Sequence, residues 1–173
     1  ARQKSDGSFN MWGETGASSV WLTAYVAKLL FHARDFIPVD DVIFPKAMKF
    51  IKSKQLRDGD FISQTHDYYY MKTKSQLGIP LVAFVAIAFL ENREYKADSK
   101  ETIDKCLNYL SSKVSKMDDN FAIAIAAYAL ALDERPEAEG FISDLKESAI
   151  RTDEQWYWYR EKNNFTSADG PSI

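Results

Sequence analysis

The sequence predicts an all-α fold, a partial α/α toroid of about three inner–outer helical hairpins, and three observations predict it. Apolar residues recur at helical spacing through six segments. Segments that are apolar on every side alternate with segments that carry a single apolar stripe. The motif QKSDGSF at 3–9 returns as QLRDGDF at 55–61, with Gln, Asp, Gly and Phe in the same four places. A wholly apolar helix must be covered all round and belongs to an inner ring, whereas an amphipathic helix needs cover on one face and belongs to an outer ring. Hairpins of one inner and one outer helix, joined by Asp-Gly turns, repeat into an array of this kind.

The first helix is read from about Ala17 to Ile37, with Val20, Trp21, Ala24, Ala27, Leu30 and Phe31 as its apolar positions and Ser18/Ser19 as its start. Pro38 ends it, because proline lacks the N–H donor and disfavours helix in the residue before it. A second helix opens at Asp40 and runs to Lys54 on the stripe Ile43, Ala47, Phe50 and Ile51, with Pro45 marking a later start or a kink. The third, Pro80 to Leu90, and the fifth, Phe121 to Leu132, are apolar throughout. The fourth, about Lys100 to Lys116, and the sixth, about Ala138 to Thr152, have apolar stripes and charged backs.

Internal repeats join these elements into pairs. KAMKFIKSK at 46–54 matches KCLNYLSSK at 105–113, pairing Ala47 with Cys106, Phe50 with Tyr109 and Ile51 with Leu110. TAYVAKLL at 23–30 parallels VAFVAIAF at 82–89, with the same offset of 59 residues, and AAYALAL at 126–132. The implied organisation is hairpin 1 over 1–56, a loop plus hairpin 2 over 57–117, hairpin 3 over 118–155 and a connecting segment over 156–173. Three hairpins make an incomplete ring, so the chain reads as part of a larger protein. Its open apolar edge is expected to self-associate or to remain with the rest of that protein.

Composition narrows the function. With 25 acidic and 22 basic side chains and no Lys/Arg run, the chain has no electrostatic footprint for nucleic acid. The single Cys106 excludes an internal disulfide framework and a CxxC site. The longest apolar run, Phe121 to Leu132, is well short of the ~20 residues of a membrane span. The opening residues ARQKSDGSF carry no stretch of signal-peptide type.

Few side chains are placed for chemistry. His32 sits inside the first helix pattern and reads as a helix residue, while His66 lies in the loop QTHDYYYMKTKSQ, either a functional residue on a rigid scaffold or a simple loop histidine. One cysteine and no HExxH spacing leave no zinc site, and no metal or other cofactor is expected. Toroids also host terpene cyclases and protein prenyltransferases. Here Asp40-Asp41 is followed by Val42, Ile43 and Phe44, with neither DxDD nor DDxxD, and reads as a complement to a helix dipole. Cys106 falls on the apolar stripe where the parallel helix has Ala47, which suits a small buried thiol. Asn164-Phe165-Thr166 is an N-glycosylation sequon, and WYWYR at 156–160 is either a surface patch or a covered one.

At SDGSFNMWGETGASSVWLTAYVAKLL the sequence resembles the thioester domain of the alpha-2-macroglobulin and complement family, most of all the invertebrate thioester-containing proteins. The likeness continues in order through KQLRDGDF, LVAFVAIAFLE and NFAIAIAAYALAL. It implies a secreted, extracellular protein of innate immunity or protease trapping, in which a strained Cys–Gln thioester is hidden until proteolysis and then acylates a microbial surface or a protease. The family's warhead GCGEQ is absent from these 173 residues, so the chain is not an enzyme and forms no thioester alone. Trp12 corresponds to the aromatic that shields the thioester, with packing between hairpins as its other role. The family's reactive histidine falls near Tyr69, and His66 lies three residues early. Tyrosine, with a pKa near 10, is a poor replacement nucleophile, so no histidine-assisted step is expected. The alternatives from the residues alone are a cyclase- or prenyltransferase-like enzyme on the same scaffold and an intracellular helical-repeat scaffold.

Overall fold

The computed structural model describes residues 3–10, 16–62, 78–113 and 119–158. It contains α1 (Val20–Ala33), α2 (Ile43–Ser53), α3 (Gly78–Glu91), α4 (Lys100–Lys113), α5 (Asn120–Leu132) and α6 (Glu137–Ser148). The short strands β1 (Ile150–Arg151) and β2 (Trp156–Tyr157) form a small antiparallel ribbon. The all-α reading holds, and the six helices pair as the repeats require. Helix α1 packs on α2, α3 on α4 and α5 on α6, while α1, α3 and α5 form a row with α3 at its centre.

Helix ends follow local chemistry more tightly than hydrophobic pattern does. Ser19 caps α1 by accepting from Leu22 N at 3.0 Å, which puts the start three residues later than the pattern alone suggests. The helix closes at Ala33, whose carbonyl accepts from Phe36 N and Ile37 N ahead of Pro38. Helix α2 begins at Ile43 and not at Asp40, so Pro45 lies in its first turn, where no N–H is needed. Helix α6 stops at Ser148, and the residues beyond it turn into β1, an element absent from the helical periodicity.

The row of inner helices is buried unequally. Eleven of the fourteen residues of α3 are buried. Helix α5 is equally apolar in sequence, yet Phe121 is 56% exposed and Tyr128 49%. It has a row neighbour in α3 on one side and its partner α6 below, and its remaining face is open among the described residues. One carboxylate ties the three inner helices together. Glu91, at the end of α3, accepts from Lys28 (3.1 Å) on α1 and from the Tyr128 hydroxyl (3.1 Å) on α5, and pairs with His32 (3.0 Å) on α1. Since Lys28, His32, Glu91 and Tyr128 all lie late in their helices, the inner helices run parallel.

The repeated turn is the element that locks each outer helix. Gly7 (φ 87°) and Gly59 (φ 97°) both occupy the left-handed region, and a Cβ on either would collide with a backbone carbonyl, that of Lys46 on α2 or of Lys105 on α4. Those two lysines are themselves 59 residues apart and occupy equivalent places. The Gln of each turn reaches the same helices: Gln3 Nε2 donates to Ile43 O at 2.9 Å, and Gln55 Nε2 donates to Thr102 O at 3.1 Å. Equivalence extends to details the motif does not contain. Ser53 and Ser112 hydroxyls cap the carbonyls of Phe50 and Tyr109, and Lys54 and Lys113 lie over those same two rings.

Gly59→Ala is expected to cost about 3 kcal/mol or more, from a left-handed backbone and a backbone clash together. Gly140→Ala in α6, where nothing lies within 4 Å of the added methyl, is expected to gain roughly 0.5–1 kcal/mol. Denaturant titration of both variants checks the pair, and equal effects at the two sites would contradict the clasp. Glu91 supplies a second expectation. Burial pushes its carboxyl up, but bonds from His32, Lys28 and Tyr128 and the charge of Lys28 hold it below the usual value. Its stabilisation is therefore complete above the ordinary carboxylate range and is lost as pH falls through the lower folded value. Glu91→Gln is expected to lower stability at neutral pH and to flatten the acid limb of a stability–pH curve.

Candidate functional site

The two DGxF turns meet the N-terminal ends of α1 and α3, and the site is built there from the backbone outward. In the first turn Gly7 N donates to Lys4 O, and Lys4 N to Ser8 O, both at 2.9 Å. Asp6 fastens the turn to the entry of α1. Its carboxylate accepts from Ser8 N (2.9 Å), Ser8 Oγ (2.6 Å) and Ser18 Oγ (3.0 Å). Burial raises its pKa, but these bonds and nearby Lys4 outweigh that and hold it low. Phe9 N donates to Thr23 Oγ1 at 2.9 Å inside the protein, while Phe9 O accepts from Ser19 N at 3.2 Å. Turn and helix entry are thus one hydrogen-bonded unit. Gly16 O accepts from Lys4 Nζ (2.9 Å) and Asn10 Nδ2 (3.0 Å), which brings together both ends of segment 11–15.

The second turn repeats the frame with different chemistry. Leu56 N donates to Asp60 O at 2.7 Å and Ile62 N to Lys54 O at 2.9 Å, closing the turn on the end of α2. Asp60 accepts from Phe61 N (2.7 Å) and from the Tyr109 hydroxyl (3.2 Å). A Cβ on Gly78 would stand 2.7 Å from the Asp60 carboxylate and 2.7 Å from the Tyr109 hydroxyl. Segment 63–77 therefore leaves and returns at one place, beside a carboxylate–phenol pair at the start of α3. Burial first, then the charge and hydrogen bond of Asp60, push the Tyr109 phenol up to about 12, so it is a fixed donor at neutral pH. Repeat comparison carries a trace of this pair: Ser8 stands where Asp60 does, and Phe50 where Tyr109 does, so both polar groups enter together.

Trp12, His66, Tyr69 and Asn164 lie outside the described residues. The turns place the ends of the segments that bear the first three beside the starts of α1 and α3. His32 stands far from this end, half-exposed against Glu91. Asp40 accepts from Val42 N at 3.1 Å ahead of α2, as a helix-entry residue does. Cys106 is fully buried, and its Sγ receives Gln55 Nε2 at 3.3 Å. That contact belongs to the clasp, because Gln3 reaches the equivalent helix where Ala47 replaces the cysteine. Burial, softened by Gln55 and reinforced by the charge of Asp60, raises the thiol to about 12. It is a packing group without thiolate character. Among the described residues no cluster of three or more His, Cys, Asp or Glu side chains is arranged to hold a metal ion, and no helix is long and apolar enough to cross a membrane.

The class defined by this geometry is an array of helical hairpins whose first two inner helices, α1 and α3, are entered through DGxF turns. Comparison with known proteins makes it specific. The profile of the A-macroglobulin TED domain matches residues 1–170. Complement C3 of Eptatretus burgeri is 31% identical over 177 residues, covering 96% of this chain, and thioester-containing protein 1 allele R1 of Anopheles gambiae is 32% identical over 83% of it. Ovostatin of Gallus gallus is 29% identical over 92% of the chain. The chain belongs to the A-macroglobulin TED domain family. It spans about 11% of the length of each of these three relatives.

The burial of Cys106 has a direct check. Iodoacetamide at mildly alkaline pH is expected to leave the native thiol unmodified and to alkylate it fully once the chain is denatured. Rapid native alkylation would show that the Gln55–Thr102 clasp opens.

Proposed function

We propose that this chain supplies three hairpins of a toroidal thioester domain in a secreted protein of innate immunity or protease trapping, and that the whole protein captures its targets covalently. The single observation that carries this reading is the family match from residue 1 to 170, over a frame whose two DGxF turns are bonded into the entries of the inner helices. The names complement C3 and thioester-containing protein among the relatives support it.

The chemistry belongs to a Cys–Gln thioester that these 173 residues do not contain. When a target amine attacks the thioester carbonyl, the C–N bond forms, the C–S bond breaks, and the amine proton passes to the departing thiolate. The chain's own contribution is positional and non-catalytic. Trp12, in the segment pinned at Gly16, shields the acyl carbon from water before activation. The position of the reactive histidine in complement proteins falls near Tyr69 in the sequence, and His66, three residues early, does not replace it, so the thioester reacts directly with amines or nearby nucleophiles. Asn164 carries N-linked glycan in the secreted protein. Its partners are the rest of the same protein and, through it, microbial surfaces or proteases.

The test is made in the whole protein, isolated from its native source or secreted from insect cells. Radiolabelled methylamine is expected to be incorporated at a glutamine outside these 173 residues, with release of one thiol. Trp12→Ala is expected to raise the loss of incorporating capacity in water about tenfold or more, while His66→Ala leaves the preference for amines over hydroxyls unchanged. Absence of methylamine uptake from unproteolysed protein would remove the thioester from the reading. Strong hydroxyl transfer abolished by His66→Ala would restore a histidine-assisted step.

A further inference from the structure

The three hairpin corners at the late ends of α1, α3 and α5 do equivalent structural work but differ in surface. The second corner presents Arg93, Glu94 and Lys96 to solvent and the third is Asp133-Glu134-Arg135-Pro136. The first instead exposes Phe36 at 87%, Ile37 at 50% and Val42 at 49%, among Asp35, Asp40 and Asp41. Neither of these two corners exposes a large apolar side chain, so the fold does not require those at the first. Its backbone is held by bonds from Phe36 N and Ile37 N to Ala33 O, which leaves Phe36 standing outward on a fixed base. The nearby guanidinium Arg34 is engaged with Glu94 at 2.6 Å, so the rim of this tip stays acidic.

Beside it, across the Arg34–Glu94 pair, lies a cleft of about 350 Å³ with opposite chemistry. Ala97 and Ile103 supply apolar wall, and Arg93, Lys96 and Lys100 supply positive charge. Lys96 and Lys100 face Asp133 and Asp104 at 3.7 and 3.5 Å, but those carboxylates also bind Arg135, so the cleft keeps a net positive charge. Arg93 has no partner among the described residues.

An acidic-rimmed apolar tip and a positive-rimmed apolar cleft on the same end of one chain are complementary to each other. Within one molecule the tip, between α1 and α2, and the cleft, at the corner before α4, lie side by side across the Arg34–Glu94 pair. Across a two-fold axis lying in the plane of this end, the corner ends of two copies face each other and each copy's tip reaches the other's cleft. We infer that the corner end of the domain is a self-association surface, occupied by a second copy of this chain with Phe36 inserted between Lys96 and Lys100 of its mate. The inference is independent of the thioester reading. It leaves the DGxF end, at the opposite ends of the inner helices, uncovered.

Sedimentation equilibrium of the 173-residue chain measures it, with circular dichroism confirming the fold of every variant. Phe36→Ser is expected to weaken dimerisation about tenfold or more. Asp40→Lys/Asp41→Lys and Lys96→Glu/Lys100→Glu are each expected to abolish self-association, since like charges then face one another. Mixed together they are expected to form a one-to-one heterodimer, because both tip–cleft contacts become complementary again. That heterodimer also decides the matter if Phe36→Ser misfolds. A monomer at all attainable concentrations would overturn the inference. So would charge-reversal variants that associate like the parent, a mixture that stays monomeric, or association lost only with Phe121→Ser on the open face of α5.

Discussion

Everything in this fold depends on covering α3. A helix with eleven buried side chains out of fourteen gains nothing from its own backbone bonds that water would not also offer, and becomes stable only when neighbours remove its surface from solvent. The chain meets that demand with α1 and α5 on the two flanks and α4 beneath. Each flanking helix then needs an outer partner of its own, which α2 and α6 supply. The alternation of apolar and amphipathic segments is therefore a chain of obligations that spreads from the centre.

The clasps convert this packing into a register. Hydrophobic burial is non-directional and lets an outer helix slide or rotate on an inner one at modest cost. A glutamine amide on one carbonyl of each outer helix, together with a glycine pressed against another three residues on, fixes both position and rotation. Polar contacts do the same for the inner row at its late end, where Glu91 holds α1 and α5 to α3. The DGxF end and the corner end are each fixed by few, specific bonds, and the middle is held by area.

Much of this was legible from residues alone, for physical reasons that also explain the gaps. Period-3.6 patterning found all six helices, since burial on one face leaves a repeating mark. Ser19 started α1 later and the bonds to Ala33 O ended it earlier than its pattern, because caps and turn bonds act on single residues. The exposed face of α5 was illegible, since Phe121 and Tyr128 look like core residues in sequence, whereas no neighbour among the described residues covers them. The partners of Gln3 and Gln55 were illegible too. Their recurrence was visible in sequence, but their acceptors are backbone carbonyls on a distant helix, and a carbonyl leaves no side-chain signature. Asp60 and Tyr109 left a faint one, as a simultaneous change at two repeat positions. Within the candidate site the motif located the frame of the two turns, while Trp12 and Tyr69 came from the family resemblance alone and lie outside the described residues.

The same hydrogen-bonded turn precedes segments of different length, 11–15 before α1 and the longer 63–77 before α3. In the second repeat Asp60 and Gly78 bring the two ends of the segment together whatever lies between them. Loop closure costs only about 0.6 kcal/mol for each doubling of length once the ends are held. Insertions and substitutions there leave the register of the helices untouched. The architecture thus separates the residues that fix the helices in register from two connecting segments whose length the frame does not set.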